Sequence, residues 1–269
     1  MLVHATRRRS RLKPSRIAAA VALIATLHDV HAAELSVEAV RQALAQADAQ
    51  RPADLGGKDL SELDLSGLDL RNVTLEGASL FGAKLVNCDL RGANLRKANL
   101  NGSWLMGTNF GGADLTGASL LSVVVLGGEV KERPNFAGAR MRGVRMIADL
   151  PNANLAGADL AEARIGVNIR NQGMGQMRTD LSSANLAGVN LAGADVNRSL
   201  MPYADLRDSN LRGANFFRVK LAGANLSGAD VTGADFTEAD MDGVILRGAK
   251  GLDQAKGLDS AENVARIVR

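Results

Sequence analysis

Aromatic residues are scarce in this chain, at 3% of its 269 residues, with one Trp, one Tyr and six Phe. Too few large rings are present to build a core around them, although a hydrophobic content of 46% argues against a disordered protein. Ala and Leu recur throughout, together with 29 Gly. This composition favours a repeat protein whose interior is made of small and medium side chains stacked in register.

Cysteine and histidine are also scarce. The single cysteine, Cys88, excludes an intrachain disulfide, so packing has to supply the stability. Its place at a small, inward position of the repeat described below indicates buried filler rather than a reactive thiol. The three histidines, His4, His28 and His31, all precede residue 33, and Walker, G-x-G-x-x-G and H-E-x-x-H motifs are absent. The sequence therefore predicts a protein that is not an enzyme, with no catalytic, cofactor-binding or metal-binding residues.

The first 32 residues are organised like a secretory signal peptide. A basic stretch, Arg7–Arg16, precedes an apolar run, Ile17–Leu27, and Val30-His31-Ala32 resembles a cleavage site. A run of about eleven apolar residues is too short to span a membrane. We expect a periplasmic or secreted protein without a transmembrane segment in its mature form; the alternative is an uncleaved basic tail. The Sec route is favoured over the twin-arginine route, because Arg11 stands where the twin-arginine signal usually carries Phe.

Removal of this segment changes the charge balance. The whole chain has 32 basic and 29 acidic residues, and residues 1–32 hold six of the basic residues and one of the acidic ones. The remaining chain would be slightly acidic, at about −2. The basic character of the full sequence is therefore no argument for nucleic-acid binding.

A large apolar residue recurs every five positions from Leu55 onward, usually with a small residue two positions earlier. Neither an α-helix nor a flat strand keeps a five-residue period on one face, whereas a chain that turns a corner in each unit does. The first uninterrupted series is Leu55, Leu60, Leu65, Leu70, Leu75, Leu80, Leu85, Leu90, Leu95, Leu100, Leu105, Phe110, Leu115, Leu120 and Val125.

These units resemble the pentapeptide-repeat family, whose motif is a small residue, Asp or Asn, Leu or Phe, and two variable positions. Ala93-Asn94-Leu95, Ala113–Gly117, Ala158-Asp159-Leu160 and Ala224–Gly228 match it closely, and the resemblance covers about 200 residues. It implies an all-β fold, a right-handed quadrilateral β-helix with four units per coil. The central residue and the small residue before it would face inward. Counting the units predicts about nine coils.

The repeat is interrupted twice, and each end is expected to be covered by a short helical cap. Ser36–Gln50 reads as a helix with Ser36 as its N-cap, and the last residues also show helical spacing. The C-terminal segment has an alternative use as a homodimer contact at the solenoid end. The predicted organisation is a signal peptide, 1–32; an N-terminal capping helix, 33–51; solenoid segments 52–126, 136–165 and 181–251; an insertion, 127–135; an inserted loop, 166–180; and a C-terminal cap, 252–269.

Two surface features are candidates for binding a protein partner. The first is an apolar column beside the first insertion, and it serves either as a contact surface or as a small core covered by the insertion. The second is part of the inserted loop, which either carries function on a rigid scaffold or simply absorbs the phase shift. The column comprises Val86, Trp104, Met106, Val124 and Leu126, and the loop residues are Met174, Gln176, Met177 and Arg178.

The sequence therefore predicts a non-enzymatic scaffold for protein–protein interaction or envelope structure, with an unidentified protein partner. The alternative comes from the resemblance, because some pentapeptide-repeat proteins imitate DNA with an acidic rod and act on DNA gyrase. That mechanism requires a strongly negative surface, whereas acidic and basic residues nearly cancel here, with Arg140, Arg142 and Arg145 clustered near the middle of the repeat.

Overall fold

A computed structural model provides the structure of the protein. It describes residues 35–48, 50–125, 133–167 and 178–268. The proposed signal peptide, 1–32, lies outside the described residues. The named elements are helix α1, Val37–Ala45; strand β1, Ser119–Val123; strand β2, Arg145–Ala148; and a 3-10 helix, Val264–Arg266. Elsewhere the described chain consists of short turns joined by single parallel β-bridges.

Four ladders of β-bridges hold the chain together. We name them A, B, C and D after their first residues, Asp54, Asp59, Asp64 and Asp69 respectively. In the regular parts each bridging residue pairs with the residue 20 positions later, as Asp64 does with Lys84, so four five-residue units complete one coil. Ladders A, B and D each join ten residues. The described solenoid therefore has ten levels, one more than the sequence predicts.

Each bridge is a pair of backbone hydrogen bonds between adjacent levels. The Leu60 N–H donates to the Ser79 carbonyl at 2.8 Å, and the Ser79 N–H donates back to the Lys58 carbonyl at 2.9 Å. Adjacent levels are thus spaced like neighbouring strands, about 4.8 Å apart. Residues at the same position of successive coils consequently stack in columns along the solenoid.

The interior is filled by the two apolar residues of each unit. Ala78 and Leu80, for example, are both fully buried, and the same holds for nearly every equivalent pair. Aromatic residues replace Leu at two places where their rings stack: Phe110 on Phe136, with centroids 4.8 Å apart, and Phe216 on Phe236, at 5.1 Å. The narrow interior accommodates one large and one small side chain per unit, which explains why Leu and Ala predominate at these two positions.

The Asp or Asn before the central residue of most units holds the corner that follows it, through a hydrogen bond to its side chain. The Asp69 carboxylate accepts a hydrogen bond from the Arg71 N–H at 3.1 Å, and the Asn94 side-chain oxygen accepts one from the Arg96 N–H at 3.2 Å. Such Asx turns bring the chain round without a long loop. Each corner consists of the two residues after the central one. The second of them usually takes a positive φ, as at Gly57 with φ 65°, which glycine adopts without strain.

These corner carboxylates predict acid sensitivity. Hydrogen bonds from Thr232 and Arg212 lower the pKa of Asp230 to about 2, and the pKa values of Asp205 and Asp235 are also lowered, chiefly by side-chain hydrogen bonds. A depressed folded-state pKa stabilises the fold above the unfolded value of 3.8, and this stabilisation is lost as the pH falls through the folded value. We expect urea-unfolding midpoints to be constant above about pH 5 and to fall between about pH 4 and 2.

A triple variant tests this cause. Asp205→Asn, Asp230→Asn and Asp235→Asn keep an oxygen acceptor in each turn but remove three titrating groups. The triple variant should lose less of its stability than the wild type between about pH 4 and 2. Parallel losses in the two proteins would contradict the assignment of acid sensitivity to these corners.

One interior position is predicted to be suboptimal. The Ser199 hydroxyl is fully buried and is the buried side-chain oxygen without a hydrogen-bond partner among the described residues, whereas the buried Ser209 hydroxyl donates to the Leu206 carbonyl at 2.7 Å. We expect Ser199→Ala to raise the free energy of unfolding by about 1 kcal/mol and Ser209→Ala to lower it by about 1 kcal/mol. Urea denaturation of both variants measures the difference. Equal effects of the same sign would refute it.

The first interruption is resolved into two changes of coil length. Asn109 bridges Asn135, six positions beyond the regular partner, and Asn135 bridges Asn154, one position short of it. Because Asn135 already belongs to a ladder, the insertion ends before residue 135 and not at it. The shorter spacing, from Asn135 to Asn154, arises at the pairing of β2 with β1. The parallel register shifts between Leu121 and Val123, so β2 has one residue fewer than β1 there. Six added residues followed by one lost residue account for the shifted repeat frame.

The second interruption lengthens one further coil. In that coil Asp149 bridges Asp180 instead of the residue 20 positions later, which is the regular spacing. Val167 is buried before the gap in the described chain, and Thr179 is buried after it. The Thr179 hydroxyl donates to the Ile165 carbonyl at 2.9 Å. The solenoid therefore continues to Val167 and resumes at Thr179, so the predicted loop bounds of 166–180 are too wide at both ends.

The two ends differ from the predicted helical caps. At the N-terminal end, α1 ends at Ala45 rather than Gln50, its Ser36 side chain accepts from the Ala39 N–H, and its Val40 is fully buried in the core. At the C-terminal end, no α-helix forms between residues 252 and 268. Lys256, Glu262 and Val268 bridge the preceding level instead. The helical spacing was misleading there, because the last units are longer than five residues and form the tenth level.

Candidate interaction face

Ladder C differs from the other ladders in the side chains that it presents. Its members are Asp64, Lys84, Trp104, Val124, Asp149, Asp180, Leu200, Lys220, Asp240 and Glu262. Trp104, Val124 and Leu200 are large apolar residues at a position that the repeat normally fills with Asp or Asn. Among the described members of the other three ladders, the only large apolar residues are Ile245 and Val268, at the C-terminal end. We call ladder C and the corners on its two sides face C.

The predicted apolar column lies on face C. Trp104 bridges both Lys84 and Val124, which places the three on successive levels. Val86 and Met106 occupy the adjoining corner on successive levels. Val86, Trp104, Met106 and Val124 are all half-buried. Leu126 lies outside the described residues.

The second predicted candidate reaches the same face. Arg178 is exposed and stands two positions before Asp180 of ladder C. Met174, Gln176 and Met177 lie outside the described residues. The column and the loop are separate candidates in the sequence, whereas the ladder brings Trp104 and Arg178 to one face.

Several apolar residues of face C were missed by sequence reasoning. Phe81 is 49% exposed, and it stands at the corner before Lys84, in line with Leu121 and Ile147 of later levels. Tyr203 is 71% exposed at the opposite corner, and Phe217 is half-buried at the corner before Lys220. Stacking positions one regular coil apart is enough to find Phe81, which precedes the first interruption, whereas Tyr203 and Phe217 follow both interruptions and require the irregular coil lengths.

A hollow of about 430 Å³ opens on face C at the middle of the solenoid. Apolar side chains and a few charged ones line it, and these are Ser122, Val123, Ile147, Ala148, Asp149, Arg178, Asp180 and Leu200. Its apolar part lies next to Val124 and its charged part next to Arg178. A partner side chain could therefore bury apolar surface there while a charged group stays at the rim.

Basic side chains lie next to this hollow, on the later levels of face C. Arg198 and Arg218 both lie against the ring of Phe217, with guanidinium carbons 5.6 and 4.9 Å from its centroid. Arg218 forms an ion pair with Glu238 at 2.6 Å, and Lys220 lies 3.2 Å from Glu262. Arg178 and Arg198 form no ion pair with any described residue. Arg178 and Arg198 are therefore two cations without a direct partner in the described chain, although Glu238 and Glu262 line the same cleft.

The single cysteine lies in the interior of the solenoid and not on face C. Burial raises the pKa of the Cys88 thiol to about 11, and its sulfur donates to the Leu65 carbonyl at 2.9 Å inside the solenoid. Within the described ranges, His, Cys, Asp and Glu side chains form no group able to hold a metal ion. The same ranges contain no helix of sufficient length and apolarity to cross a bilayer. The arrangement of face C suits contact with another molecule.

Three solved structures illustrate what the chain is similar to. HetL from the cyanobacterium Nostoc sp. strain PCC 7120, a pentapeptide repeat protein involved in heterocyst differentiation regulation, is 24% identical, with 87% of this chain and 100% of HetL covered and a TM-score of 0.42. A pentapeptide repeat protein from the Arabidopsis thaliana thylakoid lumen is 28% identical over 41% of this chain and 66% of its own, with a TM-score of 0.25. Full-length QnrB1, a plasmid-mediated fluoroquinolone resistance protein, is 18% identical over 66% and 82%, with a TM-score of 0.28.

No curated protein matches the sequence. The family model for pentapeptide repeats matches eight copies, within residues 75–122 and 179–250. These two stretches lie in the first and third solenoid segments, where nearly every coil has the regular ladder step. Residues 75–122 and 179–250 therefore match the pentapeptide repeat, a family whose members form right-handed quadrilateral β-helices.

Proposed function

We propose that this pentapeptide-repeat scaffold binds a protein partner through face C and catalyses no reaction. The observation that carries the proposal is the placement of Trp104, Val124 and Leu200 at ladder positions where the described solenoid elsewhere presents mostly short polar or charged residues. Pentapeptide-repeat proteins are generally structural or interaction proteins rather than enzymes. Apolar side chains gathered on one face of a water-soluble scaffold typically mark a contact surface.

The backbone supports this proposal because it is rigid where the side chains vary. Every level is held to the next by bonds such as those from the Leu85 N–H to the Trp104 carbonyl, 2.9 Å, and from the Leu105 N–H to the Val124 carbonyl, 3.0 Å. Outward side chains do not contribute to these bonds. Face C can therefore be shaped for a partner without loss of the fold, and a preorganised surface binds with a smaller entropic cost.

Site-specific photo-cross-linking in cells tests the proposal. A photoreactive amino acid is placed at Trp104 or Leu200 on ladder C, and at Asn94 or Asn190 on ladder A as matched controls. All four positions are half-buried ladder residues. Adducts with a defined protein are expected from the ladder C positions and not from ladder A. Equal adducts from both ladders, or none from ladder C, would refute face C as the contact surface.

The alternative function, imitation of DNA, requires a continuous acidic surface. Several half-buried surface carboxylates are instead neutralised by adjacent arginines, as in the pairs Arg91–Asp89 and Arg207–Asp205, each 2.6 Å apart. The Arg140 guanidinium of the predicted basic cluster lies 3.3 Å from Asp114. We expect micromolar protein to leave DNA supercoiling by gyrase unchanged. Inhibition under those conditions would favour the alternative over the scaffold proposal.

We also propose that the protein works in the periplasm or outside the cell, from the signal-peptide pattern of residues 1–32. Sequencing the N-terminus of the protein isolated from its native cells tests this point. The first residue is expected near Ala33. An N-terminus at Met1 would contradict export with cleavage.

A further inference from the structure

We infer that face C recognises an acidic segment of its protein partner, with carboxylates on the arginines and an apolar side chain in the hollow. This inference rests on the proposed function and adds the chemistry of the partner. The binding region consists of Arg178, Arg198 and Arg218 with Phe217, which we call the arginine row, and of the hollow beside Ile147 and Leu200. The two parts are adjacent because Arg178 lines the hollow.

The arginine row is a stack of like charges in which, among the described residues, Arg178 and Arg198 have no ion-pair partner, with the Asp180 carboxylate as the nearest acidic group of ladder C, two positions after Arg178. Asp180, Leu200 and Lys220 bridge one another in ladder C, so the arginines two positions before them lie on three successive levels, about 4.8 Å apart. Like charges on neighbouring strands repel one another. Only Arg218 has a carboxylate partner among the described residues, Glu238. A ligand that supplies carboxylates to Arg178 and Arg198 would relieve this repulsion.

The guanidinium groups are also partly preorganised. Arg198 and Arg218 contact the ring of Phe217 from adjacent levels, and contacts of this kind restrict long side chains. Guanidinium groups bind carboxylates with two parallel hydrogen bonds. Less side-chain entropy is therefore lost when a carboxylate binds here than at a freely moving arginine.

The extent of the positive charge favours a protein segment over a nucleic acid. Carboxylates flank the row on both sides: Asp149 lies on the level before it, and Glu238 and Asp240 lie on the level after it. A phosphate backbone running along the solenoid would meet these carboxylates beyond the three basic levels. A short acidic stretch fits within them, and its apolar neighbours can reach the hollow and Trp104.

A binding assay with synthetic peptides tests the inference on the purified full chain. One labelled peptide has an apolar half and a poly-Glu half, and its twin carries Gln in place of Glu. The Glu peptide is expected to bind more tightly and to weaken as salt is raised. Arg178→Gln with Arg198→Gln should weaken it about fivefold, whereas Arg145→Gln with Arg247→Gln, which removes the same charge from other faces, should not.

Three results would overturn the inference: no binding of the Glu peptide to the wild type, equal binding of both peptides, or equal loss in the two double variants. Tighter binding of a DNA duplex than of the Glu peptide, dependent on Arg178 and Arg198, would identify a nucleic-acid surface instead. The cross-linking experiment separates this inference from the proposed function. If the partner segment cross-linked to Trp104 lacks acidic residues, face C remains the contact surface and only the inference of an acidic partner segment is refuted.

Discussion

Ala158→Asp is expected to lower the free energy of unfolding by about 3–5 kcal/mol, enough to unfold many domains at ambient temperature. Ala158 is fully buried between the central residues Leu155 and Leu160 of adjacent units, which are also fully buried. Among the described residues, no Lys, Arg or His side chain is buried in the interior. An aspartate carboxylate there would be desolvated without a cation to pair with. Urea denaturation followed by circular dichroism measures the loss.

The matched control lies two positions away. Ala156 occupies a corner of the preceding repeat unit and is half-buried at the surface. Ala156→Asp adds the same side chain where water can solvate it, and the stability should change by no more than about 0.5 kcal/mol. Similar losses in the two variants would mean that the position within the unit does not decide which side chains face inward.

The regular part of this fold was predictable because one local rule repeats. Each five-residue unit specifies its own corner through Asp or Asn and its own interior through residues such as Ala78 and Leu80. The rule fails wherever the unit length changes. The four-residue unit at β2 and the six-residue unit near Lys256 both still contain apolar residues that can face the interior. The spacing in the sequence therefore does not show which residues form the next backbone bridges.

The candidate site was predictable only in part for the same reason. Val86 and Trp104 precede the first interruption, so the regular spacing of four units per coil is enough to place them on successive levels. Leu200 and Phe217 follow both interruptions, and their alignment with Trp104 depends on two lengthened coils and a shortened one that only the bridges reveal. Long-range backbone pairing, not local propensity, therefore determines which side chains share face C.

Phe136→Ala is expected to cost about 3–5 kcal/mol, comparable to the buried charge but through a different cause. Phe136 is fully buried, and its ring stacks on that of Phe110 with an interplanar angle of 2°. The bridge between Asn109 and Asn135 fixes the two levels at strand spacing, so the backbone cannot close the space that the ring leaves. The cavity would persist at the first irregular coil, where the solenoid also accommodates the insertion. Thermal and urea unfolding of the variant give the measurement.

Phe81→Ala provides the control for this substitution, because Phe81 is 49% exposed on face C. Its loss should change stability by less than about 1 kcal/mol, since little of the removed surface is buried in the folded state. The interior stack can be tested further with Phe110→Ala, alone and combined with Phe136→Ala. A coupling energy of about 0.5–1.5 kcal/mol is expected from the ring contact. Strictly additive losses would show that each ring is stabilised by the surrounding Leu and Ala side chains rather than by its partner, and a large effect of Phe81→Ala would place part of the core on face C.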